Sequence, residues 1–279
     1  MRRSCLFLVV AVMLLVPGNL KAGTAIPYDN LAYPVLVQLD TGSTGSGFFL
    51  NTATGAYFVT ASHVLFDEPS GKLKAREATL LSYSKDPKET RTNTIKLDLP
   101  SLFASKGIRK HPTQDVTAVL IGSFEDGSIK PGPGVTVVQG APGILGVGIS
   151  GVKRFDEILA ANQIYVFGYP TSIGLKQTQQ VDPLRPLLRF RIVAGTNPAR
   201  ETIILDCPSY PGNSGGPVLE VEEVGPFECH FRVIGVVSQF VPFAEIWVNV
   251  PPGYNSFTLS NSGYTVAVPM DPVLELTSP

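Results

Sequence analysis

This sequence lacks an excess of charge of either sign. Its 22 basic and 23 acidic residues nearly cancel, leaving a formal charge of −1. No basic surface is offered to nucleic acid or to an anionic membrane, so neither is an expected partner. Long helical periodicities are scarce, whereas glycine (27) and proline (24) are plentiful. That combination argues against a helical bundle and for an all-β chain with many turns. Beyond the first residues no apolar stretch approaches membrane length, so no stable membrane insertion is expected once a leader has been removed. Cysteine is rare, three in 279 residues, and histidine equally so. The length is enough for one large or two small domains with a proper core.

At the N-terminus, Arg2 and Arg3 precede an almost unbroken apolar run from Cys5 to Val16, closed by Pro17-Gly18. The run is short for a bilayer and sits where a secretory signal sits. Residues 1–22 are therefore assigned to a signal peptide, cleaved after Ala22 or Ala25. An uncleaved anchor and a twin-arginine signal are the alternatives. The expected location is periplasmic or secreted. Cys5 leaves with the signal. An exported chain with two remaining cysteines is expected to join Cys207 to Cys229, bracketing the segment around Ser214. Two buried free thiols are the alternative.

The remaining chain reads as short strands. Tyr33 to Leu39, Phe48 to Leu50, Gly55 to Ala61, Ala78 to Tyr83 and the run after Asp115 are rich in β-branched and aromatic residues. Thr41 to Gly47 reads as a flexible turn, and Asn51 to Gly55 as a hairpin turn. Gly127 to Gly148, rich in glycine and proline, reads as a linker with an entry strand. In the second half Gln163 to Gly168, Leu187 to Ala194, Thr202 to Asp206, Phe231 to Ser238 and Gly263 to Val268 continue the style. Only Asp156 to Ala161 and Asp271 to Leu276 look helical. Two comparable halves of about six strands each suggest two small antiparallel β-barrels, over 23–135 and 136–279, with a short C-terminal helix.

One stretch stands out: Pro211-Gly212-Asn213-Ser214-Gly215-Gly216-Pro217, followed by an apolar run. Glycines allow a hydroxyl to project and let backbone N–H groups converge on a developing oxyanion. A serine hydroxyl needs a base, and the base needs a group to orient it. His63, in Thr60-Ala-Ser-His-Val64, follows an apolar strand, where a side chain emerges at a barrel rim. His111 and His230 lie in more ordinary settings. Asp115 heads the run Val116 to Ile121, and an acid entering a buried strand needs a partner.

His63, Asp115 and Ser214, each in this context and in this order, resemble the three motifs of the trypsin/chymotrypsin-like serine peptidases. The flavour is that of the bacterial branch that includes the Do/HtrA proteases. The resemblance covers roughly Leu31 to Leu276. It implies a two-barrel fold and an endopeptidase that cleaves polypeptides through an acyl-enzyme, with no cofactor and no metal. By the same match His63 is the base, Asp115 orients it, Ser214 is the nucleophile, and the N–H groups of Gly212 and Ser214 form the oxyanion hole. Ser238 would donate to the carboxylate. Gln239 and Phe240 would line the substrate groove, and Pro208 would lie at the base of the specificity pocket.

The sequence also departs from the digestive enzymes. Asn213 stands where those carry an aspartate that pairs with a new N-terminus, so zymogen activation of that kind is not expected. Pro208 stands where trypsin has its charge-selecting aspartate. Phe240 stands where a glycine usually opens the pocket, so small or medium apolar residues before the cut are expected. A PDZ domain is expected to be absent. Two other readings remain. Gly212 to Gly216 also satisfies the nucleophile-elbow pattern of α/β-hydrolases, which would need a late histidine and alternating helices. An inactive protease-like binding protein would keep the fold and lose the chemistry.

Overall fold

The computed structural model describes residues 26–83, 92–125, 128–139, 146–171, 178–225, 228–248 and 255–278. The signal-peptide assignment, with Cys5, lies outside the described residues. The first half comprises β1 (Pro34–Leu39), β2 (Thr44–Asn51), β3 (Gly55–Thr60), β4 (Glu77–Tyr83), β5 (Thr92–Asp98), β6 (Ile108–Lys110), β7 (Thr117–Glu125), β8 (Ser128–Pro131), β9 (Val135–Gln139) and β10 (Val147–Gly148). The short helices α1 (Tyr28–Leu31), α2 (Ser62–Leu65) and α3 (Leu99–Ala104) accompany them. The strands form one sheet in the order β6-β7-β3-β2-β1-β4-β5-β9, with β8 on β7 and β10 on β2. The expected six strands are thus ten. Much of the segment read as a linker is strand, because β8 pairs with β7 and β9 with β5.

The second half contains β11 (Gln163–Gly168), β12 (Leu187–Asn197), β13 (Thr202–Asp206), β14 (Pro217–Gly225), β15 (Glu228–Val248) and β16 (Asn255–Pro269). They close into a barrel in the order β11-β12-β13-β16-β15-β14. Helix α4 (Met270–Thr277) follows. The helix expected at Asp156–Ala161 is a single 3₁₀ turn, Phe155–Glu157. The all-β class with a short terminal helix is as expected.

Strand alternation explains how the halves meet. Successive side chains point to opposite faces. On β2, Phe49 enters the core of the first sheet with Val35, Phe58 and Leu80. Its neighbours Phe48 and Leu50 face a second cluster, shared with Phe167, Leu219, Val236 and Met270 of the other half. On β11, Ile164 and Val166 fill the closed barrel with Ile203, Leu205 and Ile234, while Tyr165 and Phe167 face the shared cluster. Strands covered on both faces read as continuous apolar runs, as Phe48-Phe-Leu does. Burying each such side chain contributes about 1.5–3 kcal/mol.

The expected disulfide is not formed: both cysteines are free thiols. Cys207 is fully buried in the closed-barrel core. Cys229, half-buried, packs against the cluster between the halves. Cys207 directly follows β13 and Cys229 lies on β15, and the two sulfurs belong to different cores.

Candidate active site

Three chain segments deliver the expected residues to one place. β3 ends at Thr60, and the single turn α2 carries His63. Asp115 lies two residues before β7 and Ser214 three before β14. Ser62 Oγ and Thr117 Oγ1 lie 2.8 Å apart in a buried hydrogen bond that fastens the His63 turn to the Asp115 strand.

The carboxylate of Asp115 is the centre of a network. Oδ1 accepts from the backbone N–H of His63 at 3.0 Å. Oδ2 lies 2.7 Å from His63 Nδ1 and accepts from Ser238 Oγ at 2.6 Å. Burial by itself would raise the Asp115 pKa. The His63 ring, its charge, the Ser238 hydroxyl and the His63 N–H together outweigh burial and hold it below the ordinary carboxylate value. An ionised carboxylate only accepts. Nδ1 therefore carries the proton, and in the neutral ring Nε2 keeps a free lone pair.

Ser214 lies in the same cleft, of about 390 Å³, which is lined also by His63, Glu68, Lys74, Tyr210, Gln239 and Phe240. Its Oγ donates to the Ser238 carbonyl at 3.2 Å. Among the described residues no hydrogen bond joins it to His63, and the N–H groups of Gly212 and Ser214 have no protein acceptor. Pro208 is not part of the lining; its neighbours Ser209 and Tyr210 are. His63, Glu68 and Asp115 hold donor atoms within 4.8 Å of one another, a spacing that a cation could bridge. Of these groups His63 Nδ1 and both Asp115 oxygens already take part in the network, and Glu68 is exposed.

A residue outside the motifs holds the serine loop. Ser46, fully buried on β2, donates from Oγ to Gly212 O at 2.6 Å and accepts from Tyr169 N at 2.9 Å. Its N–H donates to Ser214 O at 2.8 Å. Thr60 Oγ1 donates to Ser46 O at 2.7 Å. The contact leaves no room at Gly215: with φ at +88°, a Cβ there would stand 2.1 Å from Ser46 O. The signal for Ser46 is its setting between Gly45 and Gly47, which read only as a turn. Gly215 N and Val237 N bond Val237 O and Gly216 O at 2.7 and 2.9 Å, fixing the loop to β15 as well.

The other histidines have structural settings. His111 Nδ1 accepts from Gln114 N at 2.9 Å, and its Nε2 is 3.3 Å from Glu275. His230 is exposed beside Glu228.

Comparison with known proteins bears on the family and the fold. A family model described as a trypsin-like peptidase domain matches residues 45–224. No curated protein matches in sequence. Among solved structures, Deg5 superposes with a TM-score of 0.50 at 16% identity, covering 88% of each chain. The HtrA-type protease AlgW with a tripeptide gives 0.49 at 15% identity. A serine endoprotease from Yersinia pestis gives 0.47 at 12%. The present chain spans 58% of the length of AlgW while 88% of it is covered. At its identity the likeness to Deg5 shows a shared fold.

Proposed function

The chain belongs to the trypsin-like peptidase domain family, and from that premise we propose that it is an exported serine endopeptidase using Ser214, His63 and Asp115. The observation that carries this reading is the Asp115 network. Its two oxygens accept from both the ring and the backbone of His63, which sets the ring orientation and tautomer that a general base needs.

In the proposed reaction, Ser214 Oγ turns from the Ser238 carbonyl toward His63 Nε2, an adjustment that catalytic hydrogen bonds often make when substrate binds. Nε2 takes the hydroxyl proton as Oγ attacks the scissile carbonyl. The developing oxyanion is met by the N–H groups of Gly212 and Ser214, which have no acceptor in the described structure. Removal of one such donor typically costs a factor of about 10²–10³ in kcat. The imidazolium, stabilised by Asp115, then protonates the leaving amine, and water hydrolyses the acyl-enzyme by the same proton path. The leader Arg2 to Val16 supports export to the periplasm or medium. Among the described residues no helix is long and apolar enough to cross a membrane.

The pocket reading adds specificity. Phe240 lines the cleft, and its ring narrows the entrance to the site before the cut. Small or medium apolar residues fit there, with discrimination of about 1–3 kcal/mol per methylene. The test is a peptide library digested by wild type, Ser214→Ala and Phe240→Gly. The expected result is cleavage after residues such as Ala and Val, its loss in Ser214→Ala, and a profile widened toward larger residues in Phe240→Gly. Unchanged turnover in Ser214→Ala would overturn the nucleophile assignment. Efficient wild-type cleavage after Arg or Glu would overturn the pocket.

The Ser214 bond to Ser238 O favours a second reading, an inactive protease-like binding protein that never deprotonates its serine. Reactivity of Ser214 separates the two.

A further inference from the structure

β15 does not end at the cleft. Up to Val236 it has β14 on one edge, and from Gly235 it has β16 on the other. Val237 then bonds Gly215 and Gly216. From Gln239 onward only β16 accompanies it, in a pairing that runs from Gln239↔Val266 to Val248↔Asn255. The two strands leave the barrel as a two-stranded arm. Among the described residues no third strand covers the edge that β14 vacates.

A lone two-stranded ribbon is marginal in water, and this one carries large apolar side chains with little cover. Phe243 is 52% exposed, Ile246 68%, Trp247 61%, Phe257 62% and Leu259 58%. Opposite residues of an antiparallel pair share a face. Ile246 stands opposite Phe257, and Ala244 opposite Leu259; Phe243 and Trp247 lie on the other face. Glu245 is the one charged residue in the described part of the arm beyond Phe240 on β15. Each face of the arm thus presents exposed apolar side chains, and exposed apolar patches of this kind mark a binding site for apolar chain.

We propose that this arm is a docking surface for the polypeptide substrate, gripping apolar residues that lie several positions before the scissile bond; it rests on the peptidase reading above. Continuity with the cleft selects this occupant. Ser238, Gln239 and Phe240 line the cleft beside Ser214, and the arm residues are the same strand carried outward. A substrate laid along the open edge of β15 reaches the arm without changing direction. Pro242 has no N–H, so a main-chain ladder is interrupted there, and recognition beyond Phe240 falls to side chains. At about 3.3 Å per residue, Trp247 lies roughly 23 Å past Phe240. A tripeptide cannot span that distance, and an N-terminal extension of about seven residues can.

The test uses three synthetic peptides with one cleavable core taken from the library: the core alone, the core with a seven-residue Leu/Phe-rich N-terminal extension, and the core with a Gly/Ser extension. Wild type is compared with Phe243→Ser/Trp247→Ser and with Ile246→Ser/Phe257→Ser, one pair for each face. The apolar extension is expected to raise wild-type kcat/KM about tenfold or more, the effect of one well-buried anchor. At least one paired variant is expected to lose that gain while still cleaving the core at the wild-type rate. No gain in wild type, or a gain kept by both variants, would overturn the proposal. A change in sedimentation coefficient with the gain intact would also overturn it and assign the arm to a second copy of the chain. If wild type cleaves no peptide and its Ser214 stays unreactive, the peptidase reading falls and the proposal with it. Core cleavage without a gain removes only the docking surface.

Discussion

Ser46 shows how far the serine loop depends on a residue with no chemistry of its own. Its hydroxyl ties Gly212 O to Tyr169 N across 166 and 123 positions of sequence. Ser46→Ala leaves a buried carbonyl and N–H unpaired, at about 1–3 kcal/mol of stability, and frees the Gly212 peptide to shift. Steady-state kinetics should show kcat down roughly tenfold, less than the loss of a whole oxyanion donor, with KM nearly unchanged. A loss confined to KM would contradict a positioning role. At the same scale, Asp115 links stability to pH. Its folded pKa is depressed, so its contribution to stability is complete above the unfolded value of about 3.9 and is lost as pH falls through the lower folded value. Ser238→Ala removes one of the stabilising bonds and raises the folded pKa. The melting-temperature gap between wild type and variant should therefore be constant near neutrality and close below about pH 4. A gap independent of pH would contradict it. The three residues proposed as the triad were legible because each sits in a local motif. Ser46 was not, because its partners lie far away in sequence and its flanking glycines read as a turn.

Among the elements, strands with β-branched and aromatic runs were legible at β1, β3, β7, β11 and β13. The outer parts of β15 and β16 were not. Pro242 and the polar Ser and Asn residues between Asn255 and Gly263 break the pattern that marks a strand, and only cross-strand pairing holds them there. The disulfide expectation failed for a related reason. Sequence spacing brought Cys207 and Cys229 near Ser214, but Cys207, just past β13, packs into the closed-barrel core while Cys229, on β15, packs against the cluster between the halves. Burial pushes the Cys207 thiol up to about 11, which keeps it from forming thiolate near neutral pH. Alkylation of the native, unreduced protein at pH 8, mapped by mass spectrometry, should modify Cys229 and leave Cys207 untouched until the chain is unfolded. A Cys207–Cys229 peptide in the unreduced digest would contradict the structure.

Over the whole molecule, the chemistry depends on a seam. His63 and Asp115 come from the first sheet, Ser214 and Ser238 from the closed barrel, and the shared cluster around Phe48, Phe167, Leu219 and Met270 holds the two together. The bonds that cross the seam at the site include Ser238 to Asp115, Ser46 to Gly212, Tyr169 N–H to Ser46 and Ser46 N–H to Ser214 O. Two β halves were legible from composition and turn spacing. The ten strands of the first were not, because β5, β6, β8 and β9 are short or polar and owe their form to neighbours. The central claim is that this seam makes Ser214 a nucleophile. It is tested most directly by treating the folded protein with a fluorophosphonate and locating the adduct by mass spectrometry, with His63→Ala alongside. The account predicts one adduct per chain, on Ser214, and labelling slowed by orders of magnitude in His63→Ala. A folded wild-type protein that stays unlabelled, or that labels equally well without His63, would contradict it.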